Sequence, residues 1–459
     1  MTEAGHAAFD ENAFETATYR KVAWRLVPLL FLGYFVAFLD RVNVGFAKLQ
    51  MAGDLQFSDE VYGFGAGVFF IGYFLFELPS NLILARVGAR RWLARIAITW
   101  SLASAAFMFT GAIAWGPVSA AFGCTDAQFT FYLLRFILGI AEAGFVPGAV
   151  YCLTLWFPSA RRAQVMALFF IAIPLASAIG SPISGAILQF LDGAQGLRGW
   201  QWLFLVEALP SLTIGIVILA ILPDGPRSAR WLSEPERALI IDRLAADERG
   251  KASLGQRSRI ADIFSDWRVW ALALADFCRA AYSNALNFWM PTIVQEIGID
   301  KRDYFAVGLV AAIPWGLGAI IMVLVSRRSD RVGERKWHAT IASLVAAAGL
   351  LMLAFGGRQP VLSIVALTMV AGGGLAWLAV FWTLPTAFLS GTAAAGGIAW
   401  INALAMLGGY VGPDTLGRIR GANGGEDGAA FLILALLALL GTGLSYVLAG
   451  RKAKSLAAA

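Results

Sequence analysis

Twelve runs of mainly apolar residues alternate with short polar stretches along this chain. They cover approximately 24–47, 62–85, 92–115, 129–154, 164–190, 200–222, 269–295, 304–326, 337–356, 360–388, 394–416 and 428–449. At about 1.5 Å of rise per residue, each is long enough to cross a bilayer as a helix. Proline and glycine recur inside the runs, which membrane helices tolerate. The pattern predicts an all-α membrane protein of twelve transmembrane helices in two pseudo-symmetric six-helix bundles. The bundles cover 24–222 and 269–449, with an N-terminal segment 1–23, a linker 223–268 and a tail 450–459. Within the linker, Ser233 followed by Glu236 is a capping-box pattern that opens a short helix. A weak repeat supports the two halves. Arg86-Val-Gly-Ala-Arg-Arg91 follows the second span, and Arg331-Val-Gly-Glu-Arg-Lys336 follows the eighth, 245 residues later.

Composition agrees. Of the 459 residues, 59% are hydrophobic and 14% charged, against about 25% charged in soluble domains. The mean hydropathy is +0.69. With the amino terminus taken as cytoplasmic, the loops on that side hold 24 Lys and Arg and the opposite loops 6. That bias places both termini in the cytoplasm. The basic residues lie in loops between spans, so the net charge of +6 does not point to nucleic acid. Residues 1–23 are mostly polar, and no cleaved signal peptide is expected. Three cysteines make no disulfide framework, and His6 and His338 are too few and too far apart for a metal site. No nucleophile–base set is apparent, so an enzyme is not expected.

The chemistry lies in charges inside the spans. Asp40 and Arg41 are adjacent within the first span. A charge at the centre of such a helix costs about 2.5–3.5 kcal/mol on insertion scales, and marks function by default. Neighbouring side chains point about 100° apart, so the two cannot simply neutralise each other. Arg135, Gly139 and Glu142 share one face of the fourth span. Arg41 offers a bidentate fork to an anion; Asp40 and Glu142 read as proton sites. A fixed partnership between Glu142 and an arginine is the alternative. In the seventh span, Asp276, Arg279, Asn284 and Asn287 fall on one broad face. The deeper Asn284 and Asn287 read as ligand contacts, Asp276 and Arg279 as a gate or structural pair. Asn402 can hydrogen-bond a substrate, and Tyr73 lies close enough to mid-span to reach a cavity. Glu77 and Glu207 read as clasps between helices.

These residues carry a resemblance. Leu39-Asp-Arg-Val-Asn-Val44, Glu77-Leu-Pro-Ser-Asn81, Arg135-Phe-Ile-Leu-Gly-Ile-Ala-Glu-Ala-Gly144, Gly199-Trp-Gln-Trp-Leu-Phe204, Asn287-Phe-Trp-Met-Pro-Thr292 and the run from Asn402 to Pro413 are all involved. The chain resembles the major facilitator superfamily, and within it the anion:cation symporters, over nearly its whole length. The resemblance implies a proton-driven importer of an organic anion such as tartrate, a sugar acid or an aromatic carboxylate. By position, Arg41 would bind the carboxylate, Asp40 and Glu142 would form the protonatable pair, and Tyr73 and Asn402 would touch the ligand. It also implies an inner membrane, a monomer, and no cofactor beyond the coupling proton. Two positions depart from the family. Ala85 stands where an acid usually precedes Arg-x-Gly, whereas Asp330 before Arg331 keeps it in the second half, where the pair reads as a gate. Phe38 stands where sugar-acid carriers often have tyrosine, which favours a less polar ligand. An organic-anion exchanger or facilitator without proton coupling is the alternative function, and a membrane receptor that binds without carrying is a third.

Overall fold

A computed structural model describes residues 3–253, 266–382, 384 and 391–456. Its described elements are helices and 3-10 turns. Ten helices among the described residues are long and apolar enough to cross a membrane. Two more complete the set of twelve spans: Trp267–Glu296 with 30 residues, and Gly391–Ala422 with 32. These two carry the charges of the seventh and eleventh spans.

The first helix runs unbroken from Glu3 to Asp54 through Pro28. The polar segment ahead of the first span therefore belongs to the same rod. Its inward face is held by the linker. Glu15 takes Arg161 at 3.1 Å and Arg243 at 2.7 Å, and Lys21 reaches Glu236 at 2.7 Å. The linker helix Glu234–Ser253 starts with the capping box, Ser233 N–H donating to Glu236 Oε2 at 2.8 Å. Trp231 stacks on Trp156 with ring centres 5.7 Å apart, beneath the Arg25 guanidinium. These anchors belong to the N-terminal half, so this part of the linker rides with that half.

The repeat is visible in the backbone. Helix Asp59–Val87 ends at Gly88 (φ 95°) and helix Tyr304–Val332 ends at Gly333 (φ 69°). Both glycines occupy the same place in the repeated motif, where a positive φ stops the helix without a Cβ penalty.

The halves meet along three helix pairs: second on eleventh, fifth on eighth and first on seventh. Small residues set the separation. A Cβ built on Gly63 of the second span would lie 2.8 Å from the Gly417 Cα of the eleventh. One built on Gly45 of the first would lie 2.8 Å from the Phe288 carbonyl of the seventh. Both sit toward the end of the bundle opposite the termini, here called the far end. Without a hydrophobic drive between helices in lipid, such close backbone approach is a main source of their association.

Candidate functional site

The fourth span, read from the sequence as one segment, is two helices. Asp126–Glu142 stops where Ala143 turns extended (ψ 127°) and Gly144 takes φ 91°; Phe145–Thr154 then starts. Only glycine fits at 144, because a Cβ there would collide with the Ser80 hydroxyl and φ is left-handed. The break places Glu142 on the last turn before non-helical backbone. Irregular backbone at such depth is tolerated where it is buried in protein or lines a cavity.

Glu142 pairs with Arg41. The guanidinium Nη2 donates to Glu142 Oε1, and the side chains are 8% and 2% exposed. Arg41 Nε and Glu142 Oε2 have no hydrogen-bond partner among the described residues. The guanidinium carbon lies 5.2 Å from the Phe69 ring centre, 5.4 Å from Tyr73 and 5.8 Å from Phe38. Aromatic faces of this kind attract a cation, so Arg41 is held by rings as well as by a carboxylate. Tyr34, edge-on to Phe38 and stacked on Phe169, lies close enough to Arg41 and Arg279 to feel both charges.

Asp40 points elsewhere, as the 100° step requires. Its carboxylate accepts from Trp100 Nε1 at 3.1 Å, from Ser104 Oγ at 2.9 Å and from Ser211 Oγ. Three neutral donors from the third and sixth spans surround it in place of a cation. Sequence reasoning missed this cradle. Its signal was spacing: Trp100 and Ser104 lie one turn apart on a helix face.

The other expected residues divide. Arg135 is 1% exposed and donates to the carbonyls of Gly65 (3.2 Å) and Ala66 (2.9 Å), so it clamps the fourth span to the second rather than meeting Glu142. Asn402 Nδ2 donates to Glu77 Oε1 at 2.9 Å, joining the eleventh span to the second. Both residues therefore lie at the boundary of the halves. Arg279 pairs with Asp276 at 2.6 Å on its own helix. Asn284 donates to the Ala280 carbonyl one turn back, while Asn287 Oδ1 is buried without a hydrogen bond. Asp330 meets Arg335 at 3.3 Å on the exposed end that carries the termini, with Arg331 beside it in the last turn of its helix.

A second charged cluster closes the far end, and the sequence did not announce it. Arg420 is 3% exposed. It donates to Asp59 (3.1 Å) of the N-terminal half, and to Glu296 (2.6 Å) and Asp427 (2.6 Å) of the C-terminal half. Lys48 reaches Asp59 at 2.8 Å and stands 3.6 Å above the Trp289 ring. Tyr62 donates to the Phe288 carbonyl across the same boundary at 2.8 Å.

Residues 30–413 match the model of the Major Facilitator Superfamily. The chain belongs to that superfamily. Two bacterial relatives carry provisional names. One, from Agrobacterium vitis, is named a tartrate transporter and is 45% identical over 97% of this chain and 94% of its own length. The other, from Pseudomonas putida, is named the metabolite transport protein NicT and is 42% identical over 92% of each chain. The solved structure of a D-xylose-proton symporter superimposes with a TM-score of 0.71, at 16% identity, over 92% of this chain and 97% of that one. This last likeness is one of fold. The superfamily member described here is a membrane transporter, not an enzyme.

Proposed function

We propose that this protein imports a small organic anion together with protons, by alternating access of its two halves. The observation that carries the reading is the buried Arg41–Glu142 pair. A substrate carboxylate that binds Arg41 must displace Glu142. An ionised Glu142 left buried without its partner costs about 3–5 kcal/mol. Protonating Glu142 removes that cost, so anion binding and proton binding favour each other. Asp40, held by neutral donors, is the second proton site. Tyr73 forms part of the wall beside the anion, and Asn284, Asn287 and Asn402 face it from the other half. Exchange of Glu77 for substrate frees Asn402. The relative named for tartrate transport supports a carboxylate.

On the positive-inside reading the termini are cytoplasmic, the membrane is the inner membrane, and the far end faces outward. From the outward-open state, protons load Asp40 and Glu142 and the anion binds Arg41. The halves then rock about the site between them. The far-end cluster closes, and cargo leaves toward the termini. If protons outnumber substrate charges, the membrane potential adds about 2.3 kcal/mol per charge per 100 mV.

The test uses purified protein in vesicles that hold a pH dye. Tartrate, sugar acids, phthalate and hydroxyphenylacetate are added outside one at a time. Lumen acidification with one acid, lost in Glu142→Gln while counterflow exchange persists, is the expected result. Uptake of labelled acid without acidification would replace symport by exchange or facilitated passage.

A further inference from the structure

Glu207 has no part in the scheme above. It lies in the middle of helix Gly199–Ile221, whose mean hydropathy of 2.3 is among the highest of the spans, and is 2% exposed. Ser184 of the fifth span donates to its Oε1 at 2.6 Å. Its other polar neighbours are Asn43 and Asp40 of the first span. The first, third and fifth spans pack on this helix. The charged groups they bring near its centre are Asp40 and Arg41, and Arg41 is paired with Glu142. The arginines of the third span, Arg90, Arg91 and Arg95, sit toward the termini, and Lys48 lies at the far end on Asp59. Glu207 therefore has a carboxylate for its charged neighbour and no cation. Two anions side by side in this apolar setting are strongly disfavoured. One turn along the same helix, Ser211 donates to Asp40. Residues four apart on a helix stack one above the other, so Glu207, Ser211 and Asp40 form one continuous polar track.

We infer that Glu207 and Asp40 share a proton, and that Glu207 is the group through which Asp40 is loaded and unloaded. In the transfer the O–H bond at Glu207 breaks. The Ser211 hydroxyl passes its proton to Asp40 and takes the one Glu207 releases. The negative charge moves from Asp40 to Glu207, and no other reactant is required. Ser184 steadies whichever form Glu207 takes.

The inference rests on the proton-coupled reading, and the experiment separates the two. Full-length wild type, Glu207→Gln and Ser211→Ala are reconstituted in vesicles, and each is assayed for proton-driven uptake against external pH and for counterflow without a gradient. Glutamine keeps the size of Glu207 and an acceptor for Ser184 but holds no exchangeable proton. Proton-driven uptake by Glu207→Gln should fall by about a hundredfold and lose its pH dependence, with counterflow kept. Ser211→Ala should slow uptake with less effect on its pH profile. Wild-type uptake and pH profile in Glu207→Gln would overturn the inference. So would equal loss of uptake and counterflow in a folded protein, which would mark Glu207 as a structural clasp. A wild type that carries the acid without protons would remove the functional reading as well.

Discussion

Two buried guanidiniums behave in opposite ways. Arg41 has one carboxylate partner, Glu142, and both belong to the N-terminal half. Arg420 has three, and they come from both halves. When the halves rotate past each other, the first pair travels intact and the second must break. A pair inside one half stores a choice of partner, carboxylate against substrate. A cluster across the boundary stores a choice of conformation. The surroundings follow. Arg41 sits among Phe38, Phe69 and Tyr73, which leave its unbonded edge without competing donors or acceptors. Arg420 is saturated with carboxylates, and Lys48 supplies a second cation to Asp59.

The comparison breaks most sharply at Arg41. Arg41→Ala leaves Glu142 without its cation, worth about 3–5 kcal/mol, or roughly two to four decades at 1.4 kcal/mol per decade. Labelled-anion uptake should vanish, with the far end unchanged. Appreciable uptake would mean that another group binds the carboxylate. Gly144→Ala tests the break that presents Glu142. It forces a side chain into a left-handed turn and against Ser80, so monodisperse yield should drop sharply and Ser80→Gly should recover part of it. A normal yield would show that the turn is not needed.

Arg420→Ala should leave anion binding intact and shift the halves apart at the far end. Spin labels at positions 60 and 421, on the second and eleventh spans, read this as a longer distance, with the open population raised about tenfold. An unchanged distribution would leave the close glycine contacts as the latch. The smallest effect is at the linker. Burial alone would raise the Glu236 carboxyl, but Lys21 and the Ser233 N–H outweigh it and hold it below its usual value. Its contribution is complete above the ordinary carboxylate range near ~4.3 and is lost as pH falls below that. Limited proteolysis of the linker should therefore speed up at low pH, and Lys21→Ala should weaken the attachment by less than about 1 kcal/mol because the amine is partly exposed. Cleavage that ignores pH and Lys21 alike would assign the docking to Trp231 and Trp156.

Some of the site was legible because membrane helices make charge rare. Asp40, Arg41, Arg135, Glu142 and Asp276 stand out against apolar neighbours, and one-dimensional spacing already separates the directions of Asp40 and Arg41. The far-end cluster was not legible. Lys48, Asp59, Glu296, Arg420 and Asp427 lie at the ends of spans, where polar residues are ordinary, and Asp59 meets Arg420 across 361 positions. The cradle of Asp40 was hidden for another reason. Serine and tryptophan are common in spans, and only packing aims them at a carboxylate.

The sequence by itself determined the twelve spans, the division into halves, the capping box of the linker and the depth of the charges. Each follows from periodicity and length against the fixed thickness of a bilayer. The tertiary structure alone decided which carboxylate holds Arg41, that Arg135 grips carbonyls, that Asn402 holds Glu77, and that the fourth span breaks after Glu142. Those outcomes depend on which helices lie side by side and how closely small residues let them approach, and no local pattern encodes that.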